Sequence, residues 1–433
     1  MGSALVLAGC TLVPPASDDS TSRGDAESSG AAEESTGADV SSDATEDAND
    51  ESEADSTGGP IGSTATSDGG DTTTSGSGDT TWTSSTSTSG GDTTTSGTDE
   101  SSGGADTSTM GECGGGTEAF FGLVGWATEA GGTTGGAGGT SVTVSTGAAL
   151  QEALNEHRDS TTPLTIWVTG PVTPGNSSDS KIDVKDVSNV SILGMGAGAE
   201  FDGIGIKITR ASNIVLRNLR IHHVDIGDKD AISIEGPADH IWVDHCELYA
   251  TYEGVDKDTF DGLLDAKGEA EYITYSWNYL HDSWKTALVG SSDGDEFDRK
   301  ITMHHNFFQN CNSRLPLFRF GNGHVFNNLY EDIADTGINS RMGACLKVES
   351  NVFVRSRNPW ISAYSDELGG AELSCNLLDD ASTFDFADDV HEILECTANV
   401  PYTYAEALTD VARVAELVRN HAGVGKLDDP AGF

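Results

Sequence analysis

Seven side chains in the middle of this chain have the types and spacing to do chemistry together. Asp228 and Asp230 stand two residues apart, Asp261 and Asp265 four apart, and Lys285 follows, then two arginines within Arg314-Leu-Pro-Leu-Phe-Arg319. Four carboxylates gathered on one surface repel one another unless a cation joins them, and an all-oxygen donor set selects a hard ion, calcium or magnesium. Of the two, calcium better tolerates an irregular, partly open cage. Ammonium and guanidinium groups facing such a cage suit a negatively charged substrate. A single aspartate at a turn more often just faces water. It is the joint pattern of acids and downstream bases that points to a metal-assisted site for an anionic substrate.

These residues need elements that bring distant segments side by side, and the sequence supplies a repeat. From Val190 onward an alternating strand ends in Asn or a small polar residue followed by apolar ones. The copies are Asn213-Ile-Val-Leu-Arg-Asn218-Leu-Arg-Ile, His240-Ile-Trp-Val-Asp-His-Cys246-Glu-Leu, Tyr272-Ile-Thr-Tyr-Ser-Trp-Asn278-Tyr-Leu, Lys300-Ile-Thr-Met-His-His-Asn306-Phe-Phe, His324-Val-Phe-Asn-Asn328-Leu-Tyr and Leu346-Lys-Val-Glu-Ser-Asn351-Val-Phe, recurring every 22 to 32 residues. That period belongs to solenoids. Val, Ile and aromatics at alternate places read as strands, and Asn tolerates the left-handed backbone at a bend. The expectation is all-β: a parallel β-helix with Asn side chains bonded from coil to coil and Ile214, Ile241, Ile273, Ile301 and Val325 stacked in the core. A doubly wound α/β fold is the rival, but the intervals hold no long amphipathic helix pattern. One good helix candidate runs from Tyr404 to Arg419, capping or packing along one end, and a weaker one from Gln151 to His157.

The chain of 433 residues falls into unlike parts. Residues 14–116 are almost wholly Ser, Thr, Gly, Asp and Glu, with 22 acids against the single Arg23, and Trp82 is almost their only large apolar residue. Such a stretch cannot bury enough surface to offset chain entropy, so it reads as a disordered, self-repelling linker before a folded domain at 117–433. The net charge of −47 argues against nucleic acid as a partner. The start, Met-Gly-Ser-Ala-Leu-Val-Leu-Ala-Gly-Cys10, resembles the lipobox of bacterial lipoproteins. That resemblance implies processing within residues 1–13, lipidation of Cys10 and a location at the bacterial surface, the membrane being touched only through that anchor. No later run is long and apolar enough to span a bilayer. The other six cysteines suit an exported protein, some bridged and some unpaired in the core, and their connectivity cannot be read from spacing.

With these segments in view, the chain resembles the pectate lyases of polysaccharide lyase family 1. The resemblance rests on Gly125-Trp-Ala-Thr, Gly131-Gly-Thr-Thr-Gly-Gly-Ala-Gly-Gly139, Asp230-Ala-Ile-Ser-Ile, Ile241-Trp-Val-Asp-His245, Asp261-Gly-Leu-Leu-Asp265, Lys285, His304-His-Asn306, Arg314-Leu-Pro-Leu-Phe-Arg319, His324-Val-Phe-Asn-Asn-Leu-Tyr330 and Ala422-Gly-Val-Gly-Lys426. It implies a right-handed parallel β-helix acting as a monomer. The activity implied is calcium-dependent β-elimination on α-1,4-polygalacturonate, leaving 4,5-unsaturated oligogalacturonates. By position, Asp228, Asp230, Asp261 and Asp265 would bind calcium, Asp261 standing where many relatives have Glu. Arg314 would be the catalytic base, assisted by Lys285, and Lys285 and Arg319 would hold substrate carboxylates. An arginine base needs its pKa lowered by about two units, roughly 2.7 kcal/mol, which neighbouring positive charge can supply; an alkaline optimum follows.

Three rivals remain. A pectin lyase acting on methyl esters would lack the full acidic cage; a β-helix that only binds polysaccharide would use Arg314 and Lys285 as docking charges; a hydrolase would use a carboxylate pair. Several tempting residues read as structural. Neighbouring strand residues point to opposite faces, so His222-His223 and His304-His305 should not share an ion. Asp244-His245 reads as a buried polar brace, Trp284 as either a sugar platform or packing, and the Gly131 to Gly139 run lacks the ending of a phosphate loop.

Overall fold

The computed structural model describes residues 113–432 except 388. The readings made for residues 1–112, Cys10 and most of the linker among them, lie outside the described residues. The chain from Cys113 onward winds into a right-handed parallel β-solenoid of about ten turns. Three sheets run its length: one of eleven strands from Thr140–Val144 to Leu394–Glu395, one of eight from Ala199–Asp202 to Leu377–Leu378, and one of nine from Ile182–Lys185 to Val390–His391. Pairing is parallel throughout save the last pair of the third sheet.

The core forms as the alternation demands, inward residues of each coil stacking on those of the next. Ile214, Ile241, Ile273 and Ile301 share one row, all but Ile301 wholly buried. Val325 does not join them. Gly323 pairs with Ile301, and Val325 extends the adjacent row Leu216, Val243, Tyr275, Met303. Val325 stands three residues before its ladder asparagine, Asn328, whereas Ile301 stands five before Asn306; the pairing keeps one register through strand and bend, so Val325 falls two rungs on, still on the core face.

The bends carry an asparagine ladder. Asn278, Asn306, Asn328 and Asn351 each donate from Nδ2 to Oδ1 of the asparagine one coil on, ending at Asn376, every step 3.0 Å. Each Oδ1 also accepts a backbone N–H from the preceding coil, so a buried amide is satisfied on both sides. The left-handed residue is not the ladder asparagine but the one before it: His245, Trp277, His305, Asn327, Ser350 and Cys375 have φ between 48° and 55°. Asn218 occupies this left-handed position itself, one residue ahead of the ladder.

Helix α1, Gly147–Glu156, begins at a Thr146 cap and closes one end of the core with Leu150 and Leu154. Helix α2, Val411–His421, is shorter than the sequence pattern suggested. Asp410 caps it by accepting from Ala412 N at 3.0 Å, and Thr409 N is held by Asn327 Oδ1 at 2.8 Å, which fixes the preceding stretch in non-helical form. Its Val414, Leu417 and Val418 lie along the outside of the stack on Trp277, Phe307, Leu329 and Val352. Disulfides join Cys113 to Cys375 and Cys345 to Cys396, while Cys246 and Cys311 are free and buried.

Candidate active site

The third sheet and the bends leading into it carry the site. Asp230 stands two residues before strand Ile232–Glu235, and Asp265 lies in the adjacent strand Leu264–Lys267. In the latter, Leu264 and Ala266 face the core, so alternation turns Asp265 and Lys267 outward together. Lys285 ends strand Tyr279–Lys285 of the second sheet and pairs in register with Ser313, so Arg314 sits one residue past the rung above it. Arg314 takes a left-handed turn, φ 65°, which swings its side chain out of the strand's alternation.

Asp230 and Asp265 are both almost wholly buried, and the Lys267 ammonium reaches the two, 3.1 and 3.3 Å from their Oδ2 atoms. Gly262 N donates to Asp230 Oδ1 and Leu288 N to Asp265 Oδ1, while Asp265 Oδ2 has no hydrogen-bond donor among the described residues. Burial, then the charge of Asp265, pushes the Asp230 carboxyl up to about 7 against the pull of Lys267, and burial likewise raises Asp265. Asp261 stands close enough to raise both. Asp228 lines the same concavity as Asp230 but is engaged by Lys181 at 3.2 Å and Lys207 at 3.0 Å; these outweigh burial and hold its carboxyl low. Among the described residues no three acids, histidines or cysteines converge at metal-binding distance. The donor set nevertheless fits a hard divalent ion: all oxygen, two buried like charges, and one carboxylate oxygen without a donor.

Lys285 Nζ lies 2.8 Å from Asp258 Oδ1 and 3.4 Å from Asp261 Oδ1. Burial works to lower its pKa, but the bond from Asp258 and the charge of Asp261 win and raise it, so it stays cationic into alkaline solution. The Arg314 guanidinium, half-buried, makes no side-chain hydrogen bond or ion pair among the described residues, and its charge acts on Asp265 and Lys285. Arg319 differs from an open substrate clamp. It is fully buried, donating to Asp293 Oδ1 at 2.7 Å and to Gly290 O at 3.0 Å, with Asp293 fastened in turn by Ser365 and Asp366 N. Trp284 packs edge-on against Tyr252 and donates to Val255 O, so it pins the loop that carries Asp258 and Asp261.

A model of the pectate lyase family matches residues 116–427. The chain belongs to that family. It is 52% identical over 310 residues to a pectate trisaccharide-lyase of Bacillus licheniformis, covering 72% of this chain and 88% of that one. The pectate lyase Bsp165PelA from Bacillus sp. N165, solved in complex with trigalacturonate, superposes with a TM-score of 0.65 at 39% identity, over 70% of this chain and 99% of the other. Pectate lyase C from Erwinia chrysanthemi, solved at pH 9.5 with 30 mM Ca2+, gives 0.62 at 26% identity, over 72% and 100%. The protein is thus a polysaccharide lyase, cleaving pectate by β-elimination.

Away from the site, the brace is as read: Asp244 accepts from Arg217 Nε, His245 Nδ1 and Ser276 Oγ, all fully or nearly fully buried. The histidine pairs differ from expectation. His223 and His305 occupy left-handed bends, which break strand alternation, and each touches its neighbour, Nδ1 to Nδ1, at 2.9 and 3.0 Å. Sequence reasoning missed Lys267, Lys181, Lys207, Asp258 and Asp293 in this pectate lyase. For Lys267 a signal was present, since Asp265-Ala-Lys267 puts acid and base on one strand face.

Proposed function

We propose that this pectate lyase is a calcium-dependent enzyme of the cell surface, acting on α-1,4-polygalacturonate and releasing 4,5-unsaturated oligogalacturonates. The observation that carries the reading is the Arg314 guanidinium, with no side-chain hydrogen bond or ion pair among the described residues, close enough to the buried Asp265 and to Lys285 for its charge to act on both. Asp228, Asp230, Asp261 and Asp265 would hold the ion, which when bound neutralises charge building on a uronate carboxylate. Arg314 removes the proton at C5; the freed electron pair forms the C4–C5 double bond, and the C4–O bond breaks with the glycosidic oxygen leaving to take up a proton. Lys285, kept cationic by Asp258, stabilises the same carboxylate as its charge grows, a contribution realised chiefly in the transition state. Arg319 fits its expected part least. It places positive charge beneath the substrate, and a direct grip on a uronate requires exchange with Asp293.

The trigalacturonate bound by the Bacillus sp. N165 relative supports the substrate, and the trisaccharide-lyase at 52% identity supports short products. Two disulfides, one tying Cys113 to the late coils and one within them, support an oxidising location, and Cys10 would supply the lipid anchor. The test is polygalacturonate with calcium or with excess chelator, read at the ultraviolet absorbance of the conjugated product. Absorbance should grow only with calcium. New reducing ends without absorbance would indicate hydrolysis, and undiminished turnover in chelator would remove the metal.

A further inference from the structure

Each of the four acids assigned to the ion already has a lysine. Lys267 spans Asp230 and Asp265, Lys181 and Lys207 hold Asp228, and Lys285 reaches Asp261. With Glu235 on Lys207 and Asp258 on Lys285, six carboxylates face four ammonium groups, and a divalent ion would meet acids that each already have a cation at ion-pair distance. The Lys267 ammonium is the decisive one. Its nitrogen reaches both buried carboxylates at 3.1 and 3.3 Å, and among the described residues it is the one ion-pair partner of Asp265 Oδ2, which accepts no hydrogen bond there. A divalent ion held by these two carboxylates would compete with that ammonium for the same oxygens.

Resting on the calcium-dependent reading above, we propose that Lys267 is a resident counter-ion of the carboxylate site, so that calcium binds by exchange with an ammonium group rather than by filling a hole. The stem of a lysine is long and flexible enough to withdraw while its head stays near the metal. The displaced ammonium remains on the outward face of strand Leu264–Lys267, where a uronate carboxylate lying over the metal can take it up. Metal binding and substrate binding then favour one another, since the ion that occupies the acids releases a cation to the sugar. Lys207 plays the same part at Asp228 on the preceding coil, more weakly because Lys181 shares that acid and Glu235 shares Lys207.

The full chain, stripped by chelator and dialysed, is titrated with calcium chloride alone by calorimetry and melted with and without calcium. Removing the competing charge in Lys267→Gln should tighten calcium binding at least about tenfold. The metal-free melting temperature should fall by several degrees while the calcium-saturated one stays near wild type. A lysine that only braces the fold would lower both temperatures alike and leave calcium affinity unchanged, and that pair of results overturns the proposal. Should Lys267→Gln not fold without metal, Lys207→Gln should show the same tightening in smaller measure, and unchanged affinity there overturns it too. Wild-type protein that gives no calcium heat defeats the calcium-dependent reading and the exchange together. Normal wild-type binding with no change in the variants defeats the exchange alone.

Discussion

Replacing His304 with Gln should uncouple part of the protein's acid sensitivity. His304 is wholly buried, its Nδ1 against His305 Nδ1 at 3.0 Å. Burial, with the nearby His324 and His245, drives its pKa down to about 3, against the pull of Asp244. The folded state therefore refuses a proton that the unfolded chain accepts near pH 6.5. Its stabilising effect is complete well above pH 6.5 and is lost progressively as pH falls towards about 3. Between pH 7.5 and 4.5 that loss comes to about 2.7 kcal/mol, a large share of the roughly 5–15 kcal/mol that holds a domain folded. Asp230 and Asp265, whose raised pKa values oppose the trend, and His305 and His324, which reinforce it, titrate in both proteins. The readout is therefore the difference between wild type and His304→Gln, from guanidinium unfolding followed by circular dichroism in chelator. That gap should close by about 2.7 kcal/mol over this range. A gap that stays constant over this range would refute the argument.

Asn306→Ala should destabilise the solenoid by about 3 kcal/mol or more, read as a lowered melting temperature, because it strands a donor on Asn278 and an acceptor on Asn328 within one buried network. Arg314→Lys should cut kcat on polygalacturonate by at least about a hundredfold with far less change in KM, the usual size of a lost proton-transfer group; near-normal turnover at alkaline pH would remove it as base. Asp265→Asn should raise the calcium concentration needed for half-maximal absorbance growth. Deleting residues 1–110 should leave a folded, active enzyme, since the cut spares Cys113 and its bond to Cys375; a folded but inactive truncation would show that the linker contributes to the site.

The solenoid was legible because its determinants are local and repeated: inward Ile and Val at alternate places, and a polar residue at each bend. What escaped is what depends on how each strand is counted from its bend and on how the coils stack. Val325 lands in a different row because it stands three residues before its bend asparagine where Ile301 stands five, which aligning the apolar residues alone does not reveal. The left-handed bends brought His304 onto His305, where strand alternation alone predicts separation. At the site, the acids and the Lys285–Arg314 pair were readable as types in order and through the resemblance. The partners that fasten them were not. Lys207 meets Asp228 from one coil away and Lys181 from two, contacts set by stacking rather than by sequence neighbours. The burial of Arg319 likewise follows from Asp293, in the chain that connects two coils.

The bond between Cys113 and Cys375 decides where tension would enter the molecule. A pull arriving along the residues before 113 passes through sulfur into Cys375, beside Asn376, the last rung of the asparagine ladder. The load then falls on the late coils, and the stretch between Cys113 and the first strand, Thr140–Val144, carries little of it. Reduction moves the point of attachment. The same pull would next meet Gly116, held by its N–H on Leu408 O at 2.7 Å and by its carbonyl to Asp410 N at 3.0 Å, contacts that part far more readily than a covalent bond. An enzyme hung from a surface by this end would keep its catalytic coils slack while oxidised, and would start to peel at its own beginning once the sulfurs separate.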